Sequence, residues 1–261
     1  MMDVIHRFRQ RYSITQSAAE LYQLQRVSFA YSHLPYENVT KILKEVRSAG
    51  SETKLRAPGE VLEDHLRWGT GGTCFSLCNT LRQVLTQSGF DCFIAMGDMH
   101  YGKNIHCAVI VRMTDGHYLL DPGYLLHDPA LLPQTGLEVS HQTRMNTILL
   151  RSEEAEVVSL YTLESGELKW RYRLRVRPVT EEEFVRHWIH SFSLNSMESV
   201  MLSRLDASGR LYFRKDRLEH VGPGNREKRK ISPANGGELA AIFGVPADLI
   251  LQAQKALLAR R

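Results

Sequence analysis

The spacing of apolar residues changes twice along the chain. Up to about Gly89 they recur at helical intervals. Leu21, Leu24, Val27 and Ala30 form one such stripe. Ser17 stands ahead of it as a candidate N-cap, with Glu20 at the capping-box spacing. This helix is expected to stop near Pro35. Two more helices fit Val39 to Val46 and Gly59 to Trp68. A fourth runs from about Thr73 to Ser88 on Phe75, Leu77, Leu81, Val84 and Leu85, with Gly89 as its stop. The segment from Asp3 to Arg11 shows only an amphipathic start.

From Asp91 to about Val179 the period shortens to that of strands. The runs are Cys92–Met96, Cys107–Val111, Tyr118–Leu120, Thr147–Arg151, Glu156–Tyr161 and Lys169–Val176. Asp115-Gly116 marks a hairpin turn between the second and third. The last run alternates apolar and charged side chains, as a half-exposed strand does. After Thr180, a cap with three glutamates behind it opens another helix. Two strand-like runs follow, Glu198–Leu205 and Arg210–Arg214, joined by Asp206-Ala207-Ser208-Gly209. Gly236 to Leu258 reads as one or two amphipathic helices. The expected organisation is helical over 1–89, β over 90–180 and mixed α/β over 181–261.

Composition adds exclusions. The 261 residues are 43% apolar and 24% charged, with a net charge of +4. That profile excludes collagen-like, low-complexity and largely disordered chains. The basic run Arg226-Glu227-Lys228-Arg229-Lys230 is read as a solvated loop in preference to a phosphate contact. No nucleic-acid partner and no membrane partner are expected. No stretch reaches the roughly 20 apolar residues of a membrane span, and no secretory signal is visible. The expected compartment is the cytoplasm, and the four cysteines, Cys74, Cys78, Cys92 and Cys107, are expected as free thiols.

The candidate chemistry begins at Gly69-Thr70-Gly71-Gly72-Thr73-Cys74. A Gly-rich turn there runs into a helix and sets Cys74 in its first turn. The helix dipole and free N–H groups favour a thiolate at that position and offer an oxyanion site. The alternative is a small core residue. His106 opens one strand of the hairpin and Asp121 closes the other. A pairing register with an odd residue sum sets both on one face. Cys, His and Asp so disposed would make a thiol triad. Taken singly, His106 reads more readily as a surface strand histidine and Asp121 as a turn former before Pro122.

These segments resemble the arylamine N-acetyltransferases. The resemblance rests on Pro35-Tyr36-Glu37-Asn38, Gly71-Gly72-Thr73-Cys74-Phe75, His106 and Asp121-Pro122-Gly123-Tyr124. Ser196-Met197-Glu198, Asp206 to Arg210 and Leu239 to Val245 extend it to nearly the whole chain. It implies an α+β fold with an N-terminal helical bundle (1–89), a central β-barrel (90–180) and a C-terminal α/β lid (181–261) around a papain- or transglutaminase-like cysteine core. It implies acyl transfer from acetyl-CoA or another acyl-CoA to a small-molecule amine through Cys74, His106 and Asp121. The chain departs from the family at Thr70, where an Arg is usual, though Arg67 lies three residues earlier. It departs also at Ser76 and Cys78, and at Leu125, where many members have glycine. The coenzyme-binding residues and oligomeric state are left open.

Three other readings compete. A zinc site would draw on Cys74, Cys78, Cys92, His100, His106 and Cys107, but the spacing lacks paired knuckles, and no metal is expected. A thiol hydrolase or amide-forming enzyme of the transglutaminase-like class uses the same three residue types. A silent binding module would keep the fold alone. Arg204, Arg210, Arg214 and Lys215 are read as a solvated strand face rather than phosphate contacts. His100-Tyr101 is read as a polar loop, and Trp68, Trp170 and Trp188 as packing residues.

Overall fold

A computed structural model describes residues 2–48, 53–143, 146–164, 166–222 and 225–260. The chain opens with helices α1 (Met2–Arg11), α2 (Glu20–Tyr31), α3 (Val39–Arg47), α4 (Pro58–Trp68) and α5 (Cys74–Gln87). A two-residue strand, β1 (Tyr36–Glu37), falls between α2 and α3. The amphipathic start is therefore a full helix, burying Val4, Ile5 and Phe8. The cap of α2 differs from expectation. The helix begins at Glu20 behind Ala19, and Ser17 Oγ instead accepts from the Ala19 N–H at 3.3 Å. Gly69 ends α4 at φ 68°, a left-handed position that glycine adopts without strain. Gly89, at φ 91°, follows α5 as expected.

Eight strands follow: β2 (Asp91–Met99), β3 (Gly102–Met113), β4 (Gly116–Asp121), β5 (Leu126–Leu131), β6 (Glu138–Gln142), β7 (Thr147–Glu154), β8 (Val157–Glu164) and β9 (Glu167–Arg175). They form one antiparallel sheet in the order β5-β4-β3-β2-β9-β8-β7-β6. The sheet curls into a near-closed barrel. A nitrogen of His141 on β6 reaches the Leu131 carbonyl on β5, 3.1 Å away, across the remaining gap. Phe93, Ala95, Ala108, Ile110, Leu119, Leu160, Tyr172 and Leu174 fill its interior. The other face of β3, carrying Cys107, Val109 and Val111, packs with Phe75, Leu77 and Leu81 of α5 in a second, larger core.

The last part begins with α6 (Glu181–His190), where Thr180 Oγ1 accepts from the Glu183 N–H at 3.2 Å, as its sequence predicts. Trp188 stacks on Phe75 of α5, so this tryptophan does pack. Strands β10 (Met201–Asp206), β11 (Gly209–Arg214), β12 (Arg217–Gly222) and β13 (Asn225–Lys230) form a second antiparallel sheet. Its fifth member is β1, in the order β1-β10-β11-β12-β13. The basic run expected as a loop is the edge strand of this sheet. Helices α7 (Gly236–Phe243) and α8 (Ala247–Leu258) close the chain, with α8 against α3. The fold is α+β, with a helical N-terminal part, a barrel and an α/β C-terminal part. No helix among the described residues is long and apolar enough to cross a membrane.

Candidate active site

Cys74 is the first residue of α5, reached through a backbone that leaves no room for side chains. A Cβ on Gly71 would lie 1.9 Å from the Pro35 carbonyl oxygen, and one on Gly72 would lie 2.2 Å from Ser76 Oγ. The Gly72 N–H donates to Pro35 and its carbonyl accepts from the Glu37 N–H at 2.9 Å, so β1 is laced to the turn. The first ladder bond of α5 runs from the Leu77 N–H to the Thr73 carbonyl at 2.9 Å. The N–H groups of Cys74, Phe75 and Ser76 therefore precede the helix's own ladder.

His106 and Asp121 meet as the odd register allows. Val109 faces Leu120 and Ile110 faces Leu119. Extending that pairing sets Asp121 opposite Ala108, two residues from His106 and on the same face. His106 Nε2 lies 2.7 Å from Asp121 Oδ2, and both side chains are buried. The other oxygen of Asp121 accepts from the Tyr124 N–H at 2.9 Å. The Tyr172 ring covers the imidazole, with centroids 4.6 Å apart. With Nε2 on the carboxylate, Nδ1 is the nitrogen left for a thiol. Gly123 completes the approach: a Cβ there would stand 2.7 Å from Cys74 Cβ and 3.3 Å from Asp121 Oδ1.

The electrostatics of the three groups interlock. Cys74 is held well below the usual thiol range. The largest cause is a hydrogen bond from the Cys107 thiol; burial opposes it, and a bond from His106 and the charges of His106 and Lys41 assist. Burial alone would lower His106, but the charge and hydrogen bond of Asp121, with those of Cys74, outweigh it and hold the imidazole well above its usual range. The site thus favours a thiolate–imidazolium pair. Cys107 packs in the larger core, as expected, and its thiol acts on Cys74 from there. Cys78 donates to the Cys107 carbonyl at 3.2 Å. All four cysteines are free. No group of three His, Cys, Asp or Glu residues among the described ones is disposed to hold a metal ion.

Two buried cations escaped the sequence reading. Arg67 sets its guanidinium 4.6 Å over the Trp68 ring. Arg56 reaches the turn instead. It donates to the Gly71 carbonyl at 2.5 Å, to Thr40 Oγ1 at 2.7 Å and to Asp64 at 2.7 Å. Glu37 in turn accepts from Thr40 Oγ1 at 2.6 Å, joining the Pro35–Asn38 segment to the same network. Asn38 ties that segment to the C-terminal part, donating to Ser196 and Ser199 and accepting from the Met201 N–H. Lys41 on α3 is the second buried cation. Its ammonium donates to both oxygens of Ser191, at 2.9 and 2.7 Å, and lies 4.3 Å over Phe192. Burial lowers its pKa to about 8, with the Cys74 charge opposing. Nothing in the periodicity of α3 marks Lys41 out, since its neighbours Thr40 and Ile42 are buried too.

Cys74 and His106 open onto a cavity of about 600 Å³, lined also by Tyr36, Lys41, Tyr101, Gly123, Tyr124 and Leu125. Leu125 adopts φ 59°, a left-handed conformation costly for a branched side chain, where the family commonly has glycine. The sheet that contains β1 lines the cavity further through β10 and β11. On β11, Arg210, Tyr212 and Arg214 face the cavity while Phe213 enters the core. Arg204 pairs with Leu211 on the opposite face, and Lys215 is exposed in the turn after β11. The expectation of one solvated face for all four cations is therefore corrected for Arg210 and Arg214. Tyr101, read as loop, also lines the cavity.

The comparisons agree with this architecture. An N-acetyltransferase family model matches residues 20–255. An uncharacterized acetyltransferase of Bacillus subtilis (strain 168), YvcN, is 26% identical over 216 residues, 77% of this chain and 81% of that protein. Among solved structures, the arylamine N-acetyltransferase of Mycobacterium abscessus superposes with a TM-score of 0.80 at 18% identity, covering 97% of this chain and 94% of that one. The Salmonella typhimurium enzyme gives 0.78 at 16% identity, with 99% of each chain covered. An arylamine N-acetyltransferase of Bacillus cereus, described as having a Cys-His-Glu catalytic triad, gives 0.72 at 19% identity, covering 94% and 100%. The family model spans most of the chain and the fold is that of these enzymes: the chain belongs to the arylamine N-acetyltransferase family and is an acetyltransferase.

Proposed function

We propose that the protein moves an acyl group from acetyl-CoA or another acyl-CoA to a small-molecule amine in two half-reactions through Cys74. The observation that carries this reading is the buried His106–Asp121 contact at 2.7 Å, beside a helix-opening Cys74 packed against Gly123 in one cavity. The Cys74 thiolate attacks the thioester carbonyl, forming a new carbon–sulfur bond. The N–H groups at the start of α5 face the developing oxyanion. The coenzyme sulfur leaves with its bond electrons and takes the proton from His106. The amine then attacks the acyl-cysteine, His106 accepts the amine proton, and the Cys74 thiolate is released as the amide forms. Asp121 orients the imidazole and stabilises its charge.

The three parts divide this work. Residues 1–89 carry the nucleophile, 90–180 carry His106 and Asp121, and 181–261 cover the cavity and limit water at the acyl-enzyme. The Cys-His-Glu triad described for the Bacillus cereus neighbour supports the reading, with Asp121 here in the carboxylate's role.

The test is coenzyme release from acetyl-CoA with and without an arylamine. The expected result is about one equivalent without amine, sustained turnover with it, and neither in Cys74→Ala. Sustained release without amine would instead assign a thiol hydrolase.

A further inference from the structure

The cavity before Cys74 is cationic. Lys41, Arg210 and Arg214 line it, and no Asp or Glu does among the described residues. Three other cations of the same sheet are neutralised. Arg226 and Lys228 pair with Glu219, at 2.8 and 3.5 Å, and Arg229 pairs with Glu238. Neither Arg210 nor Arg214 forms an ion pair with a described residue. Arg214 donates only to the Asn195 carbonyl at 3.1 Å, and Arg210 lies 5.6 Å from the centre of the Tyr212 ring. The Nε atoms of both are buried without a hydrogen-bond partner. Half-buried guanidinium groups left in this state are costly, and an anion that met them would remove the cost.

The register says how far along a ligand that anion lies. Tyr36, bridged to Gly72 two residues before Cys74, faces Ser203, and Ser203 faces Tyr212. Adjacent strands are about 4.8 Å apart, so β11 stands roughly 10 Å from β1. Arg210 and Arg214 flank Tyr212 at about 7 Å along the strand on either side. A carboxylate on a short acyl group attached to Cys74 would not span that separation. A donor with its thioester at one end of a long chain and phosphates at the other does.

We propose that Arg210 and Arg214 form the phosphate-binding site for the acyl donor. The proposal rests on the reading of that donor as a coenzyme A thioester. Charge-assisted hydrogen bonds to phosphate oxygens would satisfy both guanidinium groups. They would also hold the thioester end toward Cys74.

The test compares kcat/KM for Cys74 acylation by acetyl-CoA with that by p-nitrophenyl acetate, a neutral donor. The proteins are the wild type, Arg210→Gln, Arg214→Gln and the double variant. The acetyl-CoA to p-nitrophenyl acetate ratio should fall about tenfold or more in each single variant and further in the double one. Inhibition of wild-type acylation by inorganic pyrophosphate should vanish in the double variant. An unchanged ratio, or an equal loss with both donors, would overturn the proposal. So would an unchanged ratio with a raised KM for a carboxylate-bearing amine, which assigns the arginines to the acceptor. A wild type that is acylated by the neutral ester and by no coenzyme A thioester would instead sink the parent reading.

Discussion

Gly123 lies against Cys74 so closely that a Cβ on it would stand 2.7 Å from Cys74 Cβ. That contact sets the strand carrying Asp121 directly beside the helix carrying the thiol. Gly123→Ala must push the two apart. A displacement of about 1 Å costs on the order of a hundredfold in rate when reacting groups are pre-positioned. The expected outcome is a fall of that size in kcat/KM with the circular dichroism spectrum retained. Near-wild-type activity would show that the close approach is dispensable.

Asp121→Asn keeps the shape of the side chain and removes its charge. The carboxylate is the main agent holding His106 above its ordinary range, so the imidazolium should be lost at lower pH in the variant. Turnover should drop by about 10³- to 10⁴-fold, as when an orienting triad carboxylate is made neutral. Iodoacetamide alkylation of Cys74 at mildly acidic pH checks the same point and should slow.

The pH dependence follows in sign. Cys74 is depressed, so its thiolate and the stability tied to it are lost as pH falls through the folded value. His106 is raised, so its contribution is full below the ordinary histidine value and is lost as pH rises through the folded one. Alkylation of the wild type should be flat through neutral pH and fall on the acid side. Cys107→Ala removes the neighbouring thiol that contributes most to the depression and should move that fall to higher pH. An unmoved profile would remove Cys107 from the account.

Much of this was legible in the sequence. Cys74, His106 and Asp121 were legible because each sits at the junction of an element and a turn, where Gly-Gly, the Asp115-Gly116 hairpin and Pro122-Gly123 leave clear marks. The parity of the hairpin register was enough to put the last two on one face. The edge strands were not legible. β13 is exposed along its whole length and so shows no alternation, β6 is nearly all polar, and β5 contains Pro129, which edge strands tolerate. The alternation Arg210-Leu211-Tyr212-Phe213-Arg214 does assign both arginines to one face. Only the packing of that sheet over the cavity says which face matters.

Arg56 was illegible for a different reason, since nothing local marks a loop arginine whose partners are 8 to 16 residues away. Its guanidinium is nearly fully buried, with Asp64 half-hidden beside it. Arg56→Met leaves the Gly71 carbonyl, Thr40 and Asp64 without their shared donor. Breaking a buried pair in this way costs about 3–5 kcal/mol. Urea denaturation should show a lower midpoint with an unchanged slope. A loss below about 1 kcal/mol would contradict a supporting role for the Gly71-Gly72 turn.

The central claim is that Cys74 carries the acyl group. Intact-mass measurement of the protein mixed with acetyl-CoA and no amine, followed by peptide fragmentation, tests it most directly. The account predicts one acetyl-sized adduct mapped to Cys74, absent in Cys74→Ala and discharged when an arylamine is added. A wild type that stays unmodified by every acyl-CoA tried, or whose adduct maps to another residue, would contradict it.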